Sequence, residues 1–349
     1  MKILSLGSVF PPNVYSQGEI SAALRDHFGD RLNRPELLER LHTRTGVDTR
    51  SLAFPFDRYA TFQNWGETNK AWFEIAEELG NRAIETALRG AGLKVENIDA
   101  LYVVSITGIA SPSLDARLIN RMGMRPDIKR TPIFGLGCVG GAVGLTRAAD
   151  YVKAYPDEVA VLLAVELCSL SLLKDDVSTA NLIATGLFAD GAVAAVIAGN
   201  DRRAEGPEII AQRSVFYPDT EEIMGWDISE RGFGVVLSPK LPDLIRERLG
   251  KDVDSFLASH DLGREDIKSW VIHPGGPKVL EAVEWALGLT NGELKLSWET
   301  LAKQGNLSSG SVLYLLDEVI KHRRPRSGDK GLIMAMGPGF CAEILLVRW

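Results

Sequence analysis

The most informative pattern in the chain is the alternation between uninterrupted apolar runs and amphipathic stretches. Residues 159–165 and 192–197 are apolar without a break, which is typical of strands that are buried on both faces of a sheet. Residues 72–91 instead repeat their apolar positions at helical spacing, so they predict a long amphipathic helix. Strands and helices alternate along both halves of the chain, which predicts the α/β class with largely parallel sheets.

A glycine-rich stretch around one cysteine, residues 133–145, lies between an apolar run and a helical pattern. Residues 131–136 predict a strand, and the small and apolar residues that follow predict a buried helix with Cys138 in its first turn. There the helix dipole would lower the pKa of the thiol and favour a nucleophilic thiolate. A cysteine that only packs as a small apolar residue would fit the same stretch.

The composition is that of a globular protein without a field that would attract nucleic acid. Of the 349 residues, 45% are hydrophobic and 24% are charged, and the net charge is −7. CoA thioesters are anionic as well, so a CoA site would need a local cluster of arginine or lysine. No apolar stretch is long enough to span a membrane. Three cysteines without CxxC spacing suit a reducing cytoplasm.

Two further polar residues follow apolar or glycine-rich segments in the second half. His273 ends a predicted strand before Pro-Gly-Gly-Pro, and Asn306 lies in Gln-Gly-Asn-Leu-Ser-Ser-Gly. Histidine can hold a thiolate as an ion pair, and histidine and asparagine can both donate hydrogen bonds to a thioester oxygen. This chemistry needs no metal or redox cofactor. The other histidines lie in charged, helix-like contexts and are expected at the surface: His27, His42, His260 and His322.

Several short motifs occur in the order that is typical of one known family. They are Gly-Cys-Val-Gly-Gly at 137–141, Leu-Phe-Ala-Asp-Gly-Ala at 187–192, His-Pro-Gly-Gly-Pro at 273–277, Gly-Asn-Leu-Ser-Ser at 305–309 and Gly-Pro-Gly-Phe at 337–340. With them the chain resembles the type III polyketide synthases, the chalcone-synthase-like enzymes, from about residue 98 to residue 349. Residues 107–120 and 164–169 look most like the bacterial alkylpyrone and alkylresorcinol synthases.

The resemblance implies a thiolase-like layered α/β/α/β/α fold of two similar halves that acts as a homodimer. Residues 1–203 would form the half with the nucleophile, and residues 204–349 the half with the histidine and the asparagine. Cys138 matches the acyl-carrying nucleophile, while His273 and Asn306 match the decarboxylation and oxyanion pair. The implied reaction is iterative decarboxylative condensation of malonyl-CoA onto an acyl-CoA, with no cofactor beyond these substrates.

The resemblance also assigns residues around the substrate. Phe188 matches an aromatic gatekeeper between the CoA tunnel and the cavity, and Arg40 and Arg44 are candidates for the CoA-phosphate patch. Trp226 and Val235 stand where the plant enzymes tend to carry glycine and a second phenylalanine. An aliphatic, medium- to long-chain starter and an alkylpyrone or alkylresorcinol product are therefore expected rather than a plant product. The remaining candidates for the lining are Ser171, Ser308, Gly337 and Gly339.

Three other functions fit part of the same pattern. A single-round ketoacyl-carrier-protein synthase III shares the cysteine, histidine and asparagine, although its histidine motif lacks Pro-Gly-Gly-Pro. A Cys-His-Asn thioester hydrolase needs a path for water, whereas a condensing enzyme has to exclude it. A non-catalytic acyl-binding protein has no need of a reactive thiol. The number of extensions, the carrier of the starter and the orientation of Trp226 stay open from the sequence.

Overall fold

The computed structural model describes residues 1–32, 34–171, 173–202, 205–322 and 325–349. Its strands are β1 (Lys2–Val9), β2 (Asn13–Ser16), β3 (Thr49–Leu52), β4 (Ala100–Val104), β5 (Lys129–Ile133), β6 (Val159–Leu167), β7 (Asp190–Ala198), β8 (Glu208–Phe216), β9 (Met224–Ser229), β10 (Gly232–Leu237), β11 (Ile267–Ile272), β12 (Lys330–Gly337) and β13 (Cys341–Arg348).

The helices connect these strands or cover their faces. They are α1 (Gln17–Phe28), α2 (Pro35–Thr43), α3 (Phe56–Thr61), α4 (Trp65–Ala91), α5 (Leu114–Met122), α6 (Gly140–Ala154), α7 (Cys168–Ser171), α8 (Thr179–Leu187), α9 (Leu241–Ala258), α10 (Pro277–Leu287), α11 (Lys295–Gln304) and α12 (Gly310–His322). Within the described ranges, none of them combines the length and the apolar character that crossing a bilayer would require.

The strands form two blocks with the same internal order. One block runs β1, β7, β6, β4, β5 across the sheet, and the other runs β8, β13, β12, β11. In each block the first two pairings are antiparallel and the following pairings are parallel. A single pair of ladder partners, Lys2 and Glu208, joins the blocks. The predicted α/β arrangement of two similar halves is confirmed, whereas the expectation of largely parallel sheets is wrong because antiparallel strands occupy the centre.

Three clusters of buried hydrophobic residues separate the layers of the molecule. Strand β6 supplies two of them, because alternate side chains of a strand point to opposite faces. Leu162 packs in the cluster between the two blocks, with helices α6 and α12, while Val161 and Leu163 pack in the cluster under α4. In the second block, Ile333 faces the central layer and Met334 faces the cluster under α9 and α10. Helices thus lie outside both blocks of the sheet and between them, as the layered fold requires.

Some local predictions differ from the structure at element ends. Helix α4 begins at Trp65, earlier than predicted, because the Asn64 side chain accepts a hydrogen bond from the Glu67 amide at 3.1 Å and caps the helix. Strand β5 ends at Ile133, three residues before the predicted end. The cysteine therefore follows a loop and lies within a short 3-10 turn rather than inside the helix. The predicted boundary between the halves, at residues 203 and 204, lies outside the described residues.

Candidate active site

Cys138 is buried in a 3-10 turn, Gly137–Val139, directly before α6. Two glycines let this turn pack tightly against the second half of the chain. Gly137 has a φ of 50°, and a Cβ added there would lie 2.7 Å from the Pro338 ring. A Cβ at Gly141 would lie 2.1 Å from the Ser309 carbonyl oxygen. The glycines are needed here because the cysteine turn lies against two loops of the other half.

The loop that follows α11 fixes the Asn306 side chain next to the cysteine. Its Oδ1 accepts hydrogen bonds from the Ser308 amide at 2.8 Å and the Ser311 hydroxyl at 3.2 Å, and its Nδ2 donates to the Gly275 carbonyl at 3.1 Å. The Ser308 hydroxyl lies 3.8 Å from the Cys138 sulfur. Ser308 adopts a φ of 49°, which is uncommon for a residue with a side chain. The asparagine thus links the cysteine turn to the histidine loop.

His273 follows β11 and is buried without hydrogen bonds to its ring. Its main-chain nitrogen donates to the Met334 carbonyl at 2.9 Å, and the Gly275 nitrogen donates to the His273 carbonyl at 2.9 Å. Neither ring nitrogen has a partner among the described residues. Burial lowers the pKa of His273 to about 3. The imidazole is therefore neutral at physiological pH, with one donor and one acceptor free for a substrate.

The thiol pKa moves in the direction opposite to the prediction. Burial, reinforced by the charge of Glu166, raises the pKa of Cys138 to about 12, while hydrogen bonds from Ser308 and Asn306 oppose this shift. The predicted lowering by the helix dipole is wrong because loss of hydration outweighs it in this enclosed turn. In the state that the structure describes, the pair is a thiol and a neutral imidazole rather than an ion pair.

Phe188 is paired through its backbone with the loop that carries Asn306. The Asn306 nitrogen donates to the Leu187 carbonyl at 2.9 Å, and the Ala189 nitrogen donates to the Asn306 carbonyl at 2.9 Å, which forms an isolated parallel bridge at Phe188. The Phe188 ring is half-buried and lies 6.5 Å from the ring centre of Trp226. The backbone of Phe188, the predicted gatekeeper, is therefore fixed to the backbone of Asn306.

Trp226 is half-buried, and its ring lies beside that of Phe188. Its ring lies between Phe188 and Phe233, with a centre-to-centre distance of 5.9 Å to the latter. Val235 is its direct partner across the β9–β10 hairpin, so both side chains are on the same face. The structure therefore brings Trp226 and Val235 together with Phe188 as one aromatic and apolar wall.

The remaining predicted site residues lie in different surroundings. Ser171 is buried in α7, donates to the Cys168 carbonyl at 3.1 Å and lines a pocket of about 290 Å³. A Cβ at Gly337 would lie 2.8 Å from the Val139 nitrogen, so this glycine packs behind the cysteine turn. Gly339, with a φ of 66°, forms the turn between β12 and β13. Arg40 and Arg44 are exposed at the end of α2, which packs against α8.

The sequence analysis missed a buried carboxylate behind the cysteine. Glu166 accepts hydrogen bonds from the Ser309 hydroxyl at 2.5 Å, the Thr107 hydroxyl at 2.9 Å and the Ile106 nitrogen at 3.0 Å. Burial raises its pKa to about 7. The available signal was a single charge at the end of an otherwise apolar strand. Glu166 therefore joins β6 to the loop before α12, behind the turn that carries Cys138.

Two residues of the first half lie in surroundings that the sequence analysis did not predict. Arg50, which it did not single out, lies in β3 and is buried. His42 was expected at the surface and is only 1% exposed. His27, His260 and His322 are exposed as predicted. Cys168 is buried, whereas Cys341 is only half-buried.

The chain matches the sequence models of the chalcone and stilbene synthases over almost its whole length. Residues 1–202 match the N-terminal domain of that family and residues 208–349 match the C-terminal domain. The chain therefore belongs to the chalcone and stilbene synthase family, and it is a type III polyketide synthase, a condensing enzyme of the acyltransferase type.

Bacterial members of the family are similar to it along the entire chain. A 1,3,6,8-tetrahydroxynaphthalene synthase of Streptomyces peucetius subsp. caesius is 50% identical, over 99% of this chain and 93% of the relative. A putative chalcone synthase of Bacillus subtilis (strain 168) is 35% identical, over 99% and 98%. The crystal structure of 1,3,6,8-tetrahydroxynaphthalene synthase from Streptomyces coelicolor A3(2) superposes with a TM-score of 0.95 at 30% identity, over 100% of this chain and 99% of that one.

Proposed function

We propose that this enzyme builds a small aromatic polyketide from malonyl-CoA alone and closes it to a hydroxylated naphthalene. The main support is the similarity to 1,3,6,8-tetrahydroxynaphthalene synthases along the whole chain. The ten ring carbons of such a product correspond to five two-carbon units, and the ring carries no alkyl chain. A long-chain acyl starter is therefore not needed for a product of this class.

The observation that carries the proposed chemistry is the convergence of the predicted trio. The Asn306 amide bonds to the loop of His273, and the hydroxyl two residues after Asn306 faces the Cys138 sulfur. In the loading step, His273 accepts the thiol proton, the thiolate attacks the thioester carbonyl, and the departing CoA takes the proton back. Burial disfavours either charge alone, but a thiolate and an imidazolium that form together attract each other.

In the extension step, a second malonyl-CoA loses carbon dioxide and leaves its electron pair as a thioester enolate. One N–H of the Asn306 amide donates to the Gly275 carbonyl, and the other, which bonds to the Cys138 sulfur, can donate to the enolate oxygen instead. Neutral His273 supplies a second donor. The enolate carbon then attacks the thioester on Cys138, and the cysteine thiolate leaves. Fixed donors of this kind each lower the activation barrier by about 3–4 kcal/mol in measured cases.

The aromatic wall favours a short starter. Trp226 packs beside Phe188, so its ring occupies space next to the gate that an extended acyl chain would need. Each buried methylene adds about 0.8 kcal/mol to binding only while the tunnel has room for it. An aliphatic starter, with an alkylpyrone or alkylresorcinol product, remains the second candidate on the strength of the sequence motifs and the apolar Val235.

Product analysis decides between these substrates. The enzyme is incubated with malonyl-CoA alone and with a series of acyl-CoAs, and the products are identified by mass spectrometry. We expect carbon dioxide release and a naphthalene product without an added starter. A requirement for a long acyl-CoA would overturn the proposal in favour of alkyl products. Release of free malonate would indicate a hydrolase, and a product of one condensation would indicate a synthase III-like enzyme.

A pair of tryptophan variants tests the wall separately. Trp226→Ala should let longer acyl-CoA starters compete, raising their kcat/KM relative to malonyl priming. Trp285→Ala is the matched control, because Trp285 is 68% exposed on α10. Equal starter selectivity in both variants would contradict the role of Trp226.

Three other properties belong to the same proposal. The exposed Arg40 and Arg44 hold the CoA phosphates, so Arg44→Ala should raise KM for malonyl-CoA more than it lowers kcat.

The enzyme acts as a homodimer in which residues 109–112, with Ile109 40% exposed, reach towards the partner. Light scattering that gives an active monomer would exclude this arrangement. Its free cysteines suit the cytoplasm, and CoA thioesters are the only small molecules that the reaction requires.

A further inference from the structure

Three successive carbonyl groups at the gate each accept a hydrogen bond from a different part of the chain. The Gln17 side chain donates to the Gly186 carbonyl at 2.7 Å, and the Asn306 nitrogen donates to the Leu187 carbonyl at 2.9 Å. The Arg50 guanidinium donates to the Phe188 carbonyl at 2.7 Å. The last carbonyls of a helix have no partner within that helix, so these donors fix the end of α8 from outside.

Arg50 is the cation at the centre of this arrangement. It is 2% exposed, and its Nη2 donates to the Gln17 side-chain oxygen at 2.9 Å. Burial lowers the pKa of Arg50 to about 10, and the nearby Asp190 charge opposes the shift. The guanidinium therefore stays charged at neutral pH. A buried charge is costly unless it is hydrogen-bonded and balanced, which here depends on Gln17, Phe188 and Asp190.

The stem of the same side chain touches the segment that carries the catalytic amide. Gly305 has a φ of 71°, and a Cβ there would lie 3.0 Å from the Arg50 stem and 2.9 Å from the Leu187 carbonyl oxygen. Asn306 comes next in the chain and forms the parallel bridge with Phe188. Arg50 therefore contacts both sides of this bridge, the gate with its guanidinium and the asparagine segment with its methylenes.

We propose that Arg50, oriented by Gln17, is a positioning residue that holds the gate residue Phe188 and the amide of Asn306 in a fixed mutual position. The inference rests on the proposed function, because it takes the catalytic roles of Asn306 and Phe188 from there. Arg50 acts through the backbone and touches neither the thiol nor the substrate donors. Its loss lets the end of α8 move against the Asn306 loop, which misplaces the N–H that has to meet the enolate oxygen.

The test compares two arginines that both join separate elements through main-chain carbonyls. Arg50→Met keeps the stem and removes the charge and the donors. Arg264→Met is the control, because Arg264 donates to the Ala286 carbonyl at 3.2 Å and the Gly250 carbonyl at 3.3 Å between α9 and α10. We expect Arg50→Met to lower kcat for malonyl-CoA decarboxylation about 10-fold or more, since small misplacements of catalytic groups are costly. The KM for malonyl-CoA should change little, and Arg264→Met should keep both constants.

Gln17→Ala gives a second and milder variant, because Gln17 is only half-buried. It should lower the same kcat, and the double variant with Arg50→Met should lose much less than the product of the two single effects. Non-additivity is expected for residues of one hydrogen-bonded unit. If Arg50→Met does not fold, Gln17→Ala alone decides, with Arg264→Met as its control.

The outcomes separate this inference from the proposed function. Normal kcat in folded Arg50→Met and Gln17→Ala, with a loss only in thermal stability, would overturn the positioning role. Effects that multiply independently would do the same. Absence of decarboxylation in the wild-type enzyme would instead refute the proposed function, since that result does not depend on Arg50.

Discussion

The structure contains two buried histidines in two regions, and they differ in whether their ring nitrogens have hydrogen-bond partners. His42 lies where α2 packs on α8, and its Nε2 donates to the Leu182 carbonyl at 3.1 Å. A carbonyl can only accept, so in the neutral ring Nδ1 carries no proton; it lies 2.8 Å from the Ser21 hydroxyl, which is also 2.8 Å from the Gln17 carbonyl. His273 has no partner for either ring nitrogen within the described residues. Burial lowers the pKa of both, to about 4 and about 3.

The comparison shows that neither burial nor a shifted pKa marks a catalytic residue here. Both histidines have these properties, and only the unsatisfied hydrogen bonds distinguish His273. A buried polar atom without a partner destabilises the fold, so its presence is explained when a substrate completes it. The cysteines follow the same rule. Burial raises the pKa of Cys138 and of Cys168, but only the Cys138 sulfur faces a hydroxyl of the Asn306 loop.

The largest expected effect is a difference in covalent labelling between variants of these two cysteines. Cys138→Ala should abolish covalent labelling by a radioactive malonyl- or acyl-CoA, because no other thiol lies beside the asparagine loop. Cys168→Ala should keep the label at its wild-type stoichiometry. Label that persists in Cys138→Ala, or that maps to Cys168 or Cys341, would contradict the assignment.

The histidine pair gives the next effect. His273→Ala should slow malonyl-CoA decarboxylation by about 10²-fold or more, because one enolate donor is lost. His42→Ala should leave the rate per folded enzyme nearly unchanged and lower the free energy of unfolding by about 1–3 kcal/mol, because it leaves buried partners unpaired. Kinetics combined with urea unfolding separates the two quantities. An activity loss in His42→Ala together with normal activity in His273→Ala would contradict these roles.

The pH dependence of stability gives a further test of the buried, hydrogen-bonded His42. His42 binds a proton in the unfolded chain near pH 6.5 but in the folded protein only near pH 4. Its neutral form therefore stabilises the fold above pH 6.5, and this contribution declines as the pH falls towards 4, by up to about 3 kcal/mol. We expect the stability difference between the wild type and His42→Gln to shrink in this window.

The stability of the wild type has to be compared with that of His42→Gln, because buried carboxylates titrate in the same pH range and change the stability in the opposite direction. Burial raises the pKa of Glu166 to about 7 and that of Asp190 to about 6. Both carboxyls favour the folded state more as the pH falls. They are present in both proteins, so their effect cancels. A stability difference that does not change between pH 7 and pH 4.5 would mean that His42 is not held neutral.

The smallest effect concerns the partner of the structural histidine. Ser21→Ala removes the hydroxyl that lies between His42 Nδ1 and the Gln17 carbonyl and should cost about 1 kcal/mol of stability without changing kcat. Thermal unfolding and the decarboxylation assay measure both. A loss of activity in this variant would show that the α1–α2–α8 packing transmits to the active site.

Much of the fold could be predicted from the sequence, and so could the three polar residues that the fold brings together, because local patterns determine them. The apolar runs at 159–165 and 192–197 lie inside β6 and β7, since a strand buried on both faces cannot carry regular polar positions. Cys138, His273 and Asn306 each stand in a glycine-rich segment whose backbone geometry only a few sequences allow. Their motifs, in order along the chain, were sufficient to indicate the family.

Only the tertiary structure decided the features that depend on distant partners. The direction of the Cys138 pKa follows from desolvation in the closed fold, which a helix position alone does not reveal. The burial of His42, the orientation of Trp226 towards Phe188 and the hydrogen bond from Arg50 to Phe188 join residues far apart in sequence; the last pair is separated by 138 positions. Periodicity and spacing report what one segment prefers, whereas these contacts exist only after segments that are distant along the chain have packed together.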